Sequence, residues 1–135
     1  MRIGEIHFTG NEESGQCWFC GGDLPKRRRR WCCDQHKDEY WNNYNYAAAS
    51  KECWKRSEHT CENCHKPQIE LTREFGWESI NSRMEIHHII PLEGDIREWN
   101  VLNRQDNLIA LCHQCHLKAH AAIREPKKAG QLVLL

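Results

Sequence analysis

Apolar positions along this chain cluster in short runs separated by charged or cysteine-rich stretches, and the runs differ in character. Residues 84–92 (MEIHHIIPL) and 107–112 (NLIALC) have strand character and are separated by a polar loop containing Gly94, Asp95 and Asn100. Residues 113–124 (HQCHLKAHAAIR) are rich in Ala, Leu and Lys and predict a helix, which Pro126 ends. Over 37–58, Tyr40, Tyr44, Ala47 and Trp54 share one face at helical spacing, interrupted by Lys51, so this stretch predicts a helix whose aromatics pack between two Cys-rich modules. Residues 1–16 are a polar, Gly-containing lead-in, and the tail KKAGQLVLL reads as flexible.

Composition adds a difficulty. The chain has 135 residues, 39% hydrophobic and 28% charged, enough for one domain or a small domain with an appended module. The Leu, Ile and Val supply is thin, and such a core is marginal at this size without further help. Nine cysteines are the candidate source of that help. An odd count argues against a complete disulfide framework. The start MRIGEIHFTG lacks the apolar stretch of a signal peptide, and no run approaches a bilayer span. The expectation is a cytoplasmic, reducing location with no membrane partner, where clustered Cys and His indicate metal.

Three CxxC pairs occur, Cys17/Cys20, Cys61/Cys64 and Cys112/Cys115. This spacing turns the backbone sharply enough for two thiolates to reach one tetrahedral ion. Two pairs flanking a strand–loop–strand unit predict a four-cysteine structural zinc site of Cys61, Cys64, Cys112 and Cys115. Cys17 and Cys20 need two further ligands, for which Cys32, Cys33 and His36 are candidates at acceptable spacing.

Formal net charge is zero, and the thiolates of two such sites would leave the loaded chain net acidic. Polyanion binding would therefore rest on local patches, chiefly Lys26, Arg27, Arg28, Arg29 and Arg30. That run lies between the ligand pairs of the first cluster and should project as a compact basic loop. Arginine's forked donors suit phosphate.

The adjacent His87 and His88 are unusual for a buried strand, since each imidazole needs polar partners. Taken together, EIHHIIPL, QDNLIALCHQCHLKAH and the CxxC pairs resemble the HNH endonuclease family, the ββα-metal nucleases, over about residues 61–120. RRRRWCCDQH resembles the Cys-rich knuckle ahead of some members, which favours Cys32 with His36 as the remaining ligands of the first site. Here His36 stands where that knuckle usually carries a last cysteine.

The resemblance implies His88 as general base and Asn107 as the middle residue of the HNH name. It places His87, His116 and His120 at the ligands of one catalytic divalent ion, Mg, Mn, Ni or Zn, beside two structural zinc ions. Residues four apart on a helix share a face, so His116 and His120 can reach one ion. His87 and His88 would point to opposite faces of a regular strand, and both serve one site only if the strand bends or ends there. His7, His59, His65 and His113 have no matching role; His65 and His113 neighbour zinc thiolates and read as solvated knuckle residues.

The expected fold is small α+β: a ββα-metal HNH core stapled by the four-cysteine zinc site, preceded by an N-terminal zinc knuckle and linking helix. The expected divisions are 1–58 for knuckle and linking helix, 59–124 for the nuclease domain and 125–135 for the tail. The expected function is metal-dependent hydrolysis of DNA phosphodiester bonds. The alternatives are a catalytically inactive zinc-stapled DNA-binding or adaptor module, and a nuclease acting on RNA. Within the tail, Gln131 followed by Leu132, Leu134 and Leu135 resembles the short peptide by which bacterial polymerases and repair proteins dock on a sliding clamp, with apolar anchors and a Gln at the rim.

Overall fold

A computed structural model describes residues 7–94 and 96–124 of the chain; the QLVLL segment lies outside the described residues. Among the described residues, four α-helices and two antiparallel strands make a small α+β fold: α1 (Asp34–Tyr44), α2 (Tyr46–Ser57), α3 (Gln68–Phe75), β1 (Met84–His88), β2 (Leu108–Cys112) and α4 (His113–Arg124). No described helix is long and apolar enough to cross a membrane. The chain divides into two compact units, Met1–Glu52 with Ile90–Asn107, and Cys53–Ile89 with Leu108–Leu135.

The first unit is built around aromatic rings. Trp18, Trp31, Tyr40, Tyr44 and Trp99 are buried with Cys17, and Phe8, Phe19 and Trp41 pack on them. Phe8 stacks on Tyr44 with ring centroids 4.6 Å apart, and Trp41 meets Trp99 edge-on at 4.8 Å. A buried carboxylate organises the entry of the chain: Glu12 Oε1 accepts hydrogen bonds from the Phe8 and Thr9 amides and from the Tyr40 hydroxyl at 2.7, 3.0 and 3.0 Å. Burial by itself would raise the Glu12 pKa, but these donors stabilise the anion and hold it below the usual carboxylate value.

The helix expected over 37–58 is two helices. Asn45 is extended (φ −93°, ψ 124°), forms a bridge with Trp99, and donates its side-chain amide toward the Glu98 carbonyl. Its Oδ1 accepts from the Ala48 amide at 3.1 Å, which caps α2. The break changes the buried face, so α2 buries Ala49 and Cys53 while Ala47 is exposed. The 90–107 segment is held in the same unit by Asn103, which donates to the Tyr44 and Arg97 carbonyls, and by Gln105, which donates to those of Asn42 and Ala49.

The second unit has a smaller, aliphatic core of Leu71, Ile109, Leu111 and Ala119 with Cys61, Cys112 and Cys115. The strands are shorter than expected and pair from Met84↔Cys112 to His88↔Leu108. Two strands alone are marginal in water, and here other elements close the outer edge of β2. Glu62 exchanges hydrogen bonds with Ala110 through its own amide (2.8 Å) and through Oε2 (3.0 Å), while Arg56 donates to the Leu108 carbonyl at 2.9 Å. α3 did not stand out in the sequence; it buries Leu71, packs Phe75 on the core and stops at Gly76, whose φ is 86°.

Candidate active site and metal centres

Cys61, Cys64, Cys112 and Cys115 converge, their sulfurs all within 4.8 Å of one another. The Cys64 and Cys112 sulfurs are 3.8 Å apart, about the ~3.8 Å edge of a tetrahedron with ~2.3 Å metal–sulfur bonds. The turn that brings Cys61 and Cys64 together is fixed by backbone hydrogen bonds from Cys61 to the Lys66 carbonyl (3.0 Å) and from His65 to the Cys61 carbonyl (2.9 Å). Donors already face the sulfurs: the Cys64 amide reaches Cys61 Sγ at 3.4 Å and Asn63 Nδ2 reaches Cys115 Sγ at 3.3 Å. Burial opposes charging Cys61, yet the amides of Cys112, Cys64 and Asn63 bring its pKa to about 7. The Cys112 thiol is pushed up to about 12 by burial and by Cys115 and Cys61. A cluster that holds the Cys61 thiolate readily and resists charging Cys64 and Cys112 suits a divalent cation.

In the first unit Cys17, Cys20, Cys32 and His36 form the corresponding group. The Cys20 and Cys32 sulfurs are 3.8 Å apart, and His36 Nδ1 lies 3.1 Å from Cys32 Sγ and 3.8 Å from Cys17 Sγ. Of the two adjacent cysteines, Cys32 joins the group; Cys33 N-caps α1 without a side-chain capping bond. Cys17 is buried, and the backbone amides of Cys20 and Cys32 together with His36 outweigh that burial to bring its pKa to about 6. Cys53 stands apart from both groups, fully buried, with its pKa raised to about 11 by burial.

The third group is His87, His116 and His120. Two constraints on the chain bring them together. β1 presents the buried His87 ring, while the i, i+4 spacing on α4 aligns His116 and His120. Their ring centroids lie 5.1 and 5.2 Å from that of His87 and 4.4 Å from each other, and the His116 and His120 Nε2 atoms are 2.9 Å apart. Burial, followed by the neighbouring rings of His116, His120 and His88, lowers the His87 pKa to about 4. The ring is therefore neutral near pH 7, with a lone pair to offer. Three imidazole nitrogens in this arrangement fit a borderline divalent ion and leave other coordination positions open.

His88 is the last residue of β1 and is half-buried; the strand ends there, followed by a bend at Ile89 and Ile90. Asn107 is buried and ties the neck of the 90–107 segment, accepting from the Ile90 amide (2.8 Å) and donating to the Ile90 and Leu102 carbonyls (3.2 and 2.7 Å). Arg27, Arg28, Arg29 and Arg30 line a cleft of about 430 Å³ in the first unit with Trp31, Asp34 and Lys37. Arg28 pairs with Asp34 at 3.1 Å, and the Arg30 guanidinium lies over the Trp18 ring at 5.2 Å.

Two residues had no role in the sequence reading. Glu85 hydrogen-bonds His116 Nδ1; the available signal was its place two positions before His87 on a strand, hence on the same face. His113 is not a solvated residue, since its Nδ1 is buried without a hydrogen-bond partner.

Searches of curated proteins and of solved structures found no match. Among protein families, residues 61–122 match HNH, described as HNH endonuclease. That span, similar to the HNH endonuclease family, contains the four cysteines, both strands and all four histidines of the second unit's candidate site.

Proposed function

We propose that the chain is a metal-dependent DNA endonuclease whose chemistry resides in the second unit. The observation that carries this reading is the convergence of His87, His116 and His120 from a strand and a helix, with ligand atoms all within 4.8 Å. A divalent ion held there would neutralise the scissile phosphate and stabilise the departing 3′ oxygen. His88 takes the proton from the attacking water, a task suited to imidazole near neutral pH. Asn107 grips both backbone groups of Ile90, two residues beyond His88, and so restrains the chain that leaves the base.

The two cysteine-rich groups hold one structural zinc ion each, which makes up for the thin aliphatic core. Arg27, Arg29 and Lys37 in the basic cleft hold the phosphate backbone, with Arg28 shared with Asp34. In the tail, Gln131, Leu132, Leu134 and Leu135 would dock on a sliding clamp.

Nicking of supercoiled plasmid with Mg, Mn, Ni or Zn added to zinc-loaded protein tests the activity, with RNA as competitor. Cleavage should require the added ion. His116→Ala should weaken the metal requirement's apparent affinity and recover at high metal concentration. Replacing Arg27 through Arg30 by Ala should weaken binding and flatten its salt dependence. Binding without cleavage at any metal concentration would favour the non-catalytic DNA-binding module instead.

A further inference from the structure

The carboxylate of Glu85 stands behind the histidine trio. Alternation along β1 puts Glu85 on the face of His87, the face that carries the ligand toward α4. Glu85 Oε2 is hydrogen-bonded to His116 Nδ1 and lies 3.8 Å from His113 Nδ1. His113 and His116 are three residues apart on α4 and therefore neighbours on its surface. The His113 nitrogen is buried and has no hydrogen-bond partner. A carboxylate has two oxygens and lone pairs enough for both rings.

From this geometry we infer that Glu85 is a positioning residue shared by His113 and His116, which sets the tautomer of both rings and turns Nε2 of His116 toward the metal position. This rests on the reading of the histidine trio as a metal centre. The reasoning is one of proton counting. A carboxylate only accepts, so the neutral His116 ring must place its single N–H on Nδ1. Its Nε2 then carries the lone pair, and that atom is the one 2.9 Å from His120 Nε2. A ligating imidazole that donates its other N–H to a carboxylate is both oriented and made more basic.

His113 extends the arrangement. It follows Cys112 directly, and its amide donates to the Arg83 carbonyl at 3.2 Å, beside the start of β1. The path Cys112–His113–Glu85–His116 thus joins the four-cysteine group to the histidine trio through one side chain. Glu85 is not among the groups that converge as ligands. Its contribution is to hold the ring that is.

The test uses the full chain with its structural sites loaded and no other ion added. Long-range 1H–15N correlation spectra should show His113 and His116 as Nδ1–H tautomers. Glu85→Ala should turn both into mixtures. Calorimetric titration with Mn²⁺, which competes poorly for thiolate sites, should then show about 10- to 100-fold weaker binding at the trio. Glu85→Gln retains an acceptor oxygen and should keep the tautomers and most of the affinity. An Nε2–H tautomer for His116 in the wild type would overturn the proposal, even if Glu85→Ala failed to fold. So would unchanged tautomers and Mn²⁺ affinity in Glu85→Ala. Wild-type protein that binds no Mn²⁺ at the trio, with the tautomers as expected, would instead count against the metal reading of the site.

Discussion

The turns at Cys17–Gly22 and Cys61–Lys66 are built alike in two otherwise different units. In each, the first cysteine amide donates to the carbonyl five residues on, Gly22 or Lys66. The residue after the second cysteine, Gly21 or His65, donates back to the first and adopts a left-handed backbone, φ 75° and 64°. The surroundings then diverge. The first turn is closed by Cys32 and His36, the latter on α1, and sits against buried Trp18, Trp31, Tyr40 and Tyr44. The second is closed by Cys112 and Cys115, at the junction of β2 and α4, and its core offers Leu71, Ile109, Leu111 and Ala119. One turn thus anchors an aromatic core. The other meets the start of the helix that carries His116 and His120, so an ion held there would tie fold and candidate chemistry in the second unit to the same cysteines.

Metal removal should separate the units most strongly. Structural zinc in small sites is worth on the order of 10 kcal/mol, more than a small aliphatic core can supply. After chelation, or in Cys61→Ser, hydrogen exchange should lose protection throughout β1, β2 and α4. Protection near Tyr40 and Trp99 should fall less, because aromatic burial persists. Equal collapse of both units would show that the aromatic core has no stability of its own.

A smaller contrast lies in the left-handed residues. Gly21→Ala should cost about 1–2 kcal/mol, since a Cβ there is strained and would meet the Asn11 side chain at 3.2 Å. His65→Gly should be neutral or stabilising by up to about 1 kcal/mol in the second unit. Thermal or denaturant unfolding of the zinc-loaded variants measures both. A loss on His65→Gly would mean that this imidazole has a role beyond the turn.

The smallest effect is in the pH dependence of the first unit. Glu12 has a folded pKa below its unfolded value, so its contribution is present above the ordinary carboxylate range and is lost as pH falls through the folded value. Glu12→Gln should flatten the acid limb of the stability curve. An unchanged limb would assign acid sensitivity to other carboxylates.

These contrasts also mark what the chain alone discloses. CxxC spacing, the helical spacing of His116 and His120, and the extent of α4 are local signals with a direct geometric meaning, and the structure brings those residues together. The break at Asn45 was hidden because its cause is a bridge to Trp99, far along the chain. The same holds for the 90–107 segment, whose Asn103 and Gln105 bond to residues more than fifty positions earlier. Glu85 had no role in the sequence, and only the strand register and α4 place two imidazoles beside it. Spacing discloses which side chains can share an ion, while the groups that hold them are long-range and emerge only from the fold.

The central claim is that His88 activates water at a metal held by its neighbours. Its most direct test is single-turnover cleavage of supercoiled plasmid by His88→Ala at saturating Mn²⁺, with zinc content, Mn²⁺ affinity and DNA affinity measured on the same samples. The account predicts a rate lower by about 10²- to 10⁴-fold with all three other quantities close to wild type. Wild-type turnover in His88→Ala would contradict it.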